Sequence, residues 1–264
     1  MLKQNVSSKL IYTDDSFSRL DESDDSIFYE QDRFVDHLDR NALATVKRVI
    51  ETLITEQNPV ILDLMAGWDS HIPDTIKSNR IVGLGLNRHE LEENPALTEY
   101  VLHDLNNSPQ LPFEDNTFDI IINTVSVDYM VHPFEVFREA GRILKPGGLF
   151  TVIFSHRLFP QKAVKIWREA NDQERMLMVT DFFNETDAFD TPESFVWRGM
   201  PRPEDDKYAH LSTESDPIYV VYSKKKGGQT SRKSRPGLRT ENIAMPSQQE
   251  IKLRKKQVKK THLC

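Results

Sequence analysis

Val60-Ile61-Leu62-Asp63-Leu64-Met65-Ala66-Gly67-Trp68-Asp69-Ser70-His71 runs an apolar strand into an acidic residue and then into a turn with a single glycine. Doubly wound α/β proteins place this arrangement at their first strand-to-helix turn, where a nucleotide-like ligand crosses the strand's carboxyl end. Glycine serves there because a Cβ would collide with the ligand. Gly67 is the one residue of the turn that meets this need. Asp63, at the strand's end, either orients the turn and reaches a ligand amino group through water or simply caps the turn.

Outward from this stretch, short apolar strands alternate with amphipathic segments. Strands are expected at 60–65, 80–86, 99–103, 118–124 and 149–155, with two more at 194–198 and 218–223. Phe34, Leu38, Ala42, Val46, Val49 and Leu53 recur at helical spacing, which predicts one helix over 28–56, closed by Asn58-Pro59. Further helices are expected at 71–78, 88–93, 132–144 and 160–182. The order predicts a single α/β domain over about 27–223, with a doubly wound, mostly parallel sheet of Rossmann type.

Two later runs narrow the reading. Leu111-Pro112-Phe113-Glu114-Asp115-Asn116-Thr117-Phe118-Asp119 precedes the fourth strand, and Arg142-Ile143-Leu144-Lys145-Pro146-Gly147-Gly148 precedes the fifth. With these runs the chain, from Val60 to Val152, resembles the class I S-adenosylmethionine-dependent methyltransferases, particularly the type 11 branch. The resemblance implies a seven-stranded sheet, S-adenosylmethionine as cofactor, and a small-molecule or protein methyl acceptor. Phe28-Tyr29, Arg33-Phe34-Val35, Ser70-His71-Ile72-Pro73 and Ser126-Val127-Asp128-Tyr129 resemble a narrower group in which the glycine-poor turn recurs.

The family's first turn reads D-x-G-x-G-x-G, and its three glycine positions fall here on Met65, Gly67 and Asp69. Its second strand ends in an acid that holds the ribose, and Gly85 stands at that place. Asn87 or Glu90 could substitute as acceptor, the amide without the strength of a charged carboxylate. The resemblance thus assigns Asp63, Met65, Ala66 and Gly67 to the cofactor, with Gly85, Leu86 and Asn87 from the second turn and Asp104 and Leu105 from the third. Asp104 either accepts from an adenine amino group or caps a helix. Methyl transfer from a sulfonium needs alignment, plus a base where the acceptor carries a proton. Position on the carboxyl edge nominates His132 or His156 as that base and Tyr129 as the group that positions the acceptor. His37 reads as a structural histidine. No metal is required, and Cys264, the lone cysteine, excludes an intramolecular disulfide. The competing reading is a noncatalytic binding or scaffold protein, favoured by the lost glycines.

The net charge of -7 conceals a division. Residues 224–264 hold 13 Lys and Arg against two Glu, so residues 1–223 carry −18. The polar, acidic stretch 1–26 is expected to be a loose arm, and the basic tail 224–264 a disordered segment. That tail could contact nucleic acid nonspecifically, serve as a nuclear-targeting signal in a eukaryote, or stay solvated. No apolar run approaches the roughly 20 residues that span a bilayer, so the expected location is the cytoplasm, or the nucleus in a eukaryote. The oligomeric state leaves no mark in the sequence.

Overall fold

The structure is a computed structural model, described over residues 10–227. Seven strands form one sheet in the order β3-β2-β1-β4-β5-β7-β6, with ranges β1 Val60–Leu64, β2 Arg80–Gly85, β3 Glu99–Leu102, β4 Phe118–Thr124, β5 Leu144–Phe154, β6 Glu193–Trp197 and β7 Ile218–Lys224. All neighbouring pairs are parallel except those made by β7, which runs antiparallel to β5 and β6. The strand order reverses between β1 and β4. In doubly wound sheets the crevice beyond that reversal is the ligand site. The fold class matches the sequence reading.

Side-chain alternation sends each central strand's residues to opposite faces. Leu62, Leu64, Phe118, Ile121, Phe150 and Val152 enter one apolar cluster, while Ile61, Ile120, Ile122 and Ile153 enter the other. Helix α4 (Pro133–Ile143) and α6 (Asp172–Asn184) cover the first face. There Phe137 meets Phe150 and Phe183 at ring separations of 4.9 Å. The second face is covered by α2 (Arg40–Leu53), through Ala42, Val46, Val49 and Ile50. Full burial of each such side chain contributes roughly 1.5–3 kcal/mol.

Four expectations change. The helix expected at 28–56 is two helices, α1 (Asp25–Tyr29) and α2, separated by an irregular segment. Arg33 turns back and donates to the Phe28 and Gln31 carbonyls. Asp39 then caps α2 by accepting from the Asn41 and Ala42 amides. The helix expected at 71–78 does not form. His71 takes a left-handed φ of 55°, its amide donates to Asp69, and Pro73 follows. The helix expected at 160–182 is α5 (Lys165–Glu169) followed by α6, which Asn171 and Glu174 restart with a reciprocal capping box.

The fourth correction concerns the loose arm, since residues 10–26 are packed. Tyr12 and Phe17 meet the Phe134 ring edge at 5.2 and 6.0 Å. Ser16 and Ser18 accept backbone hydrogen bonds from Ile166 and Lys165. Asp25 is buried and receives Arg19 at 2.6 Å, Lys162 at 3.1 Å and Asn106 at 2.7 Å. Repeated acids read as a solvated arm, yet these have buried cations to meet. Of the basic tail, Lys224–Gly227 belong to or follow β7, and the remainder lies outside the described residues. Among the described residues no helix is long and apolar enough to cross a membrane.

The two runs that carried the resemblance interlock. Arg142 donates to the Leu111 and Phe113 carbonyls at 2.9 and 2.8 Å and to Asp115 at 2.8 Å. Glu139 accepts from Arg142 and from the Leu111 amide. Lys145 reaches Asp119, which also accepts from the Val60 amide and so joins β4 to the start of β1. Replacing Arg142 by Met leaves two carbonyls and Glu139 without their donor. The expected cost is on the order of 2 kcal/mol, read as a lower urea midpoint with an unchanged slope.

Candidate functional site

Beyond the carboxyl ends of β1, β2 and β4 lies a cavity of about 380 Å³. This falls within the usual range for small-molecule sites, roughly 300–1,000 Å³. All nine residues assigned to the cofactor line it: Asp63, Met65, Ala66, Gly67, Gly85, Leu86, Asn87, Asp104 and Leu105. Met65, Trp68 and Asp69 stand in its wall and leave it open.

The glycine-poor turn keeps the path that glycine would allow. Met65 adopts φ 64°, a left-handed conformation that costs a residue with a Cβ about 1–2 kcal/mol. Surrounding bonds hold it there. The Ala66 amide donates to the Leu84 carbonyl at 2.8 Å, and Asn123 donates to the Leu64 carbonyl at 2.9 Å. Asn94 donates to the Gly67 carbonyl and to Ser70. Trp68 does not enter the ligand space. Its indole donates to the Val35 carbonyl and ties the turn to the segment before α2.

Gly85 has a steric reason of its own. A Cβ there would stand 2.3 Å from the Ala66 carbonyl oxygen, so a carboxylate could not occupy this position without moving the turn. On α3 (Arg88–Glu93) the carboxylate of Glu90 lines the cavity. Its Oε1 accepts from the Arg33 amide at 2.7 Å, and its Oε2 lies 3.2 Å from where a Cβ on Gly67 would be. Burial raises its pKa, opposed by the Arg33 amide and charge. Asn87, the alternative acceptor, is already committed. Its oxygen caps α3 at the Glu90 amide, and its NH₂ donates to the Tyr29 carbonyl and Asp32.

Asp63 is buried, and desolvation lifts its pKa to about 7 against the opposing Ser70 hydroxyl and His71 charge. Asp69 is held at about 2; burial works against this, and His71, whose Nδ1 lies 2.9 Å from Asp69 Oδ2, more than offsets it. Asp104 accepts from the Asn106 and Asn107 amides and from the Asn107 side chain, which fixes the turn after β3 while leaving it in the cavity wall.

The proposed base residues do not converge. His132 is exposed at the N-cap of α4, away from the cavity lining. His156 is exposed, pairs with Asp216 at 3.3 Å and also lies outside the lining. Strand register alone placed them on the right edge but not in the hollow. Tyr129 does line it. Its hydroxyl accepts from the Phe159 amide at 2.9 Å, and burial, then Asp128 and Tyr29, hold its pKa well above the usual value. It can donate or position but cannot serve as a base near neutral pH.

Sequence reasoning assigned His37 to structure, set Arg157 beside His156 on the edge where an acceptor would lie, and gave no role to Phe159 or Lys207; all four line the outer half. The His37 ring packs edge-on against Phe159, at 5.5 Å. It has no hydrogen-bond or ion-pair partner among the described residues. His37 is exposed at the cavity mouth, and partial desolvation, then the charges of Lys207, Arg33 and His71, push its pKa below the usual histidine value. Arg33-Phe34-Val35 and His37 were visible as a sequence pattern. Nothing in the residues around Lys207 announced that a loop before β7 would reach the site.

Comparisons with known proteins agree with this fold. Residues 78–152 match the family model described as "Methyltransferase domain". The chain is 36% identical over 75 residues to the mitochondrial 2-methoxy-6-polyprenyl-1,4-benzoquinol methylase of Caenorhabditis elegans, covering 28% of this chain and 25% of that protein. It is 29% identical over 121 residues to a malonyl-[acyl-carrier protein] O-methyltransferase of Marinomonas, covering 42% of each. The matched part thus spans a quarter to two-fifths of these relatives. Among solved structures, the fold resembles a methyltransferase-fold protein in complex with the Haloferax volcanii Trm112 activator, with a TM-score of 0.53, 15% identity, and coverage of 71% of this chain and 91% of that one. An S-adenosylmethionine-dependent methyltransferase of Thermotoga maritima gives a TM-score of 0.50 at 17% identity, covering 70% and 89%.

Two outcomes test this geometry. Gly85→Ala drives a methyl group into the Ala66 carbonyl and is expected to destabilise the fold by about 1–3 kcal/mol, measured by chemical denaturation. Asp63 binds a proton in the folded state below about pH 7, but in the unfolded state only below about 4. Its contribution is therefore fully present below about pH 4 and is lost as pH rises through about 7. Asp63→Asn should gain on the wild type in unfolding free energy between pH 5 and pH 8. A constant difference over that interval would mean Asp63 is already ionised at pH 5.

Proposed function

We propose, taking this chain as a class I S-adenosylmethionine-dependent methyltransferase-fold protein whose residues 78–152 match the methyltransferase domain, that it transfers a methyl group from S-adenosylmethionine to a small-molecule acceptor. The observation that carries this reading is the open cavity at the strand-order reversal, with Glu90 supplying the carboxylate that Gly85 cannot. The donor set suits the cofactor. Asp63, Glu90 and Asp104 face a ligand with an ammonium group, two vicinal ribose hydroxyls and an adenine amine. When bound, the cofactor supplies an electrophilic methyl group on a sulfonium.

The chain's own residues have separable tasks. Glu90 would hold the ribose hydroxyls through charge-assisted hydrogen bonds, the stronger kind. Ionised Asp63 offsets the ligand's ammonium charge, and the turn at Met65–Gly67 brings backbone to the ligand. Tyr129 and Phe159, stacked at 6.0 Å, shape the acceptor's side of the cavity. His37, neutral and unpartnered, is placed to take the acceptor's proton. It replaces His132 and His156 in that role.

Titration with S-adenosylhomocysteine tests the reading without knowledge of the acceptor. Ligand at 100 times its dissociation constant should add about 2.7 kcal/mol to the unfolding free energy. Glu90→Gln, which keeps the shape and removes the charge, is expected to weaken binding about tenfold or more, measured by calorimetry. The absence of any thermal shift with wild-type protein at millimolar ligand would refute cofactor use.

A further inference from the structure

The outer half of the cavity differs in charge from the inner half. Asp63, Asp69, Glu90 and Asp104 belong to the inner half, around the turns after β1, β2 and β3. Arg33, Arg157 and Lys207 line the other end. None of these three cations is neutralised by a carboxylate of its own within the cavity. Arg33 donates to the Gln31 and Phe28 carbonyls and lies over the Phe28, Tyr29 and Phe159 rings. Arg157 gives only its Nε to Asp216, at 3.0 Å, and its guanidinium lies 4.2 Å from the Tyr208 ring centre. Lys207 has no acidic partner among the described residues and stands 5.1 Å over the same ring. The remaining lining acids are Asp36 and Asp25, the latter already paired with Arg19 and Lys162.

From this arrangement we infer that the outer half is an acceptor site for a small planar carboxylate bearing an ionisable hydroxyl, with Arg157 and Lys207 holding the carboxylate and His37 receiving the hydroxyl proton. The inference rests on the cofactor reading above. The walls Tyr29, Phe159 and Tyr208 are aromatic, and the three cations lie against their rings. A bound anion also offsets the positive field around His37 and so strengthens it as a base. In the transfer, the acceptor's O–H proton passes to a His37 ring nitrogen and an oxygen lone pair forms the new O–CH₃ bond. The C–S bond breaks with its electron pair on sulfur, so the sulfonium charge disappears as imidazolium forms.

The test uses the full chain saturated with S-adenosylhomocysteine, so cofactor binding is established before the acceptor is offered. Calorimetry then compares 4-hydroxybenzoate with its neutral isostere 4-hydroxybenzamide. Binding of the carboxylate at least tenfold tighter is expected, with Lys207→Gln and Arg157→Gln each lowering that preference severalfold. Lys207 is exposed, so its variant keeps the test valid should loss of the Arg157–Asp216 contact unfold the chain. An NMR titration of His37 should show its pKa rising on addition of 4-hydroxybenzoate and unmoved by the amide. Equal affinity for the two probes, or no binding of either to the loaded protein, overturns the inference and leaves cofactor use intact. Failure of S-adenosylhomocysteine itself to bind overturns both.

Discussion

The contact between the Ala66 carbonyl and Gly85 is the constraint on which the site depends. Ala66 hydrogen-bonds through its amide to Leu84, so the turn after β1 is folded down onto the end of β2. Its carbonyl then occupies the space where a side chain at position 85 would begin. The absence of an acid at position 85 thus follows from the path of the turn after β1. Lowering the turn removes room for an acid at Gly85 and brings Gly67 close to Glu90. Met65 accepts a left-handed backbone because Ala66, Gly67 and Leu64 on either side of the bend are each tied by a hydrogen bond. Strain at one residue is tolerable when neighbouring bonds determine the path.

The most recognisable runs proved to be scaffold. Arg142 and Glu139 fasten the 111–115 loop to α4, and Lys145 with Asp119 fastens β4 to the starts of β5 and β1. Each is a polar group satisfying backbone at the amino-terminal side of the sheet, remote from the cavity. That explains why the fold was legible in the sequence. The pattern encodes interlocking backbone hydrogen bonds, and such bonds tolerate few substitutions. The strands were legible too, because a central strand buried on both faces reads as an uninterrupted apolar run, as in Ile120-Ile121-Ile122.

The candidate site was half legible. Its inner wall follows from register, since residues that end parallel strands must gather at one edge, and all nine assigned positions do. The outer wall comes from irregular segments at 30–39, 157–159 and 199–217, whose course periodicity cannot supply. His132 and His156 lie outside the lining for this reason. Being on the correct edge of the sheet does not place a side chain in the hollow that loops enclose there. His37 reads as structural because a histidine within an apparently continuous helix looks so. The helix in fact starts at Arg40, and His37 belongs to the segment that crosses the mouth.

Buried charge anchors both the 199–217 loop and the stretch around Lys162. Arg202 donates to Asp216 at 2.5 Å, and Asp39 accepts from Ser215 and the Asp216 amide, locking the 199–217 loop to the cap of α2. On the other side Lys162, fully buried, donates to the Ser23 carbonyl and pairs with Asp25, which also meets Asn106 beside the site. Buried ion pairs are weak sources of net stability because desolvation offsets much of their attraction, yet breaking one leaves an uncompensated charge that costs several kcal/mol. They therefore specify where a loop sits more than how firmly the domain folds. An α/β sheet needs no such device for its own cohesion. A cavity whose outer half is built from three loops does, and these pairs act together with the Arg33–Glu90 and Trp68–Val35 hydrogen bonds to set the loops relative to the strand ends.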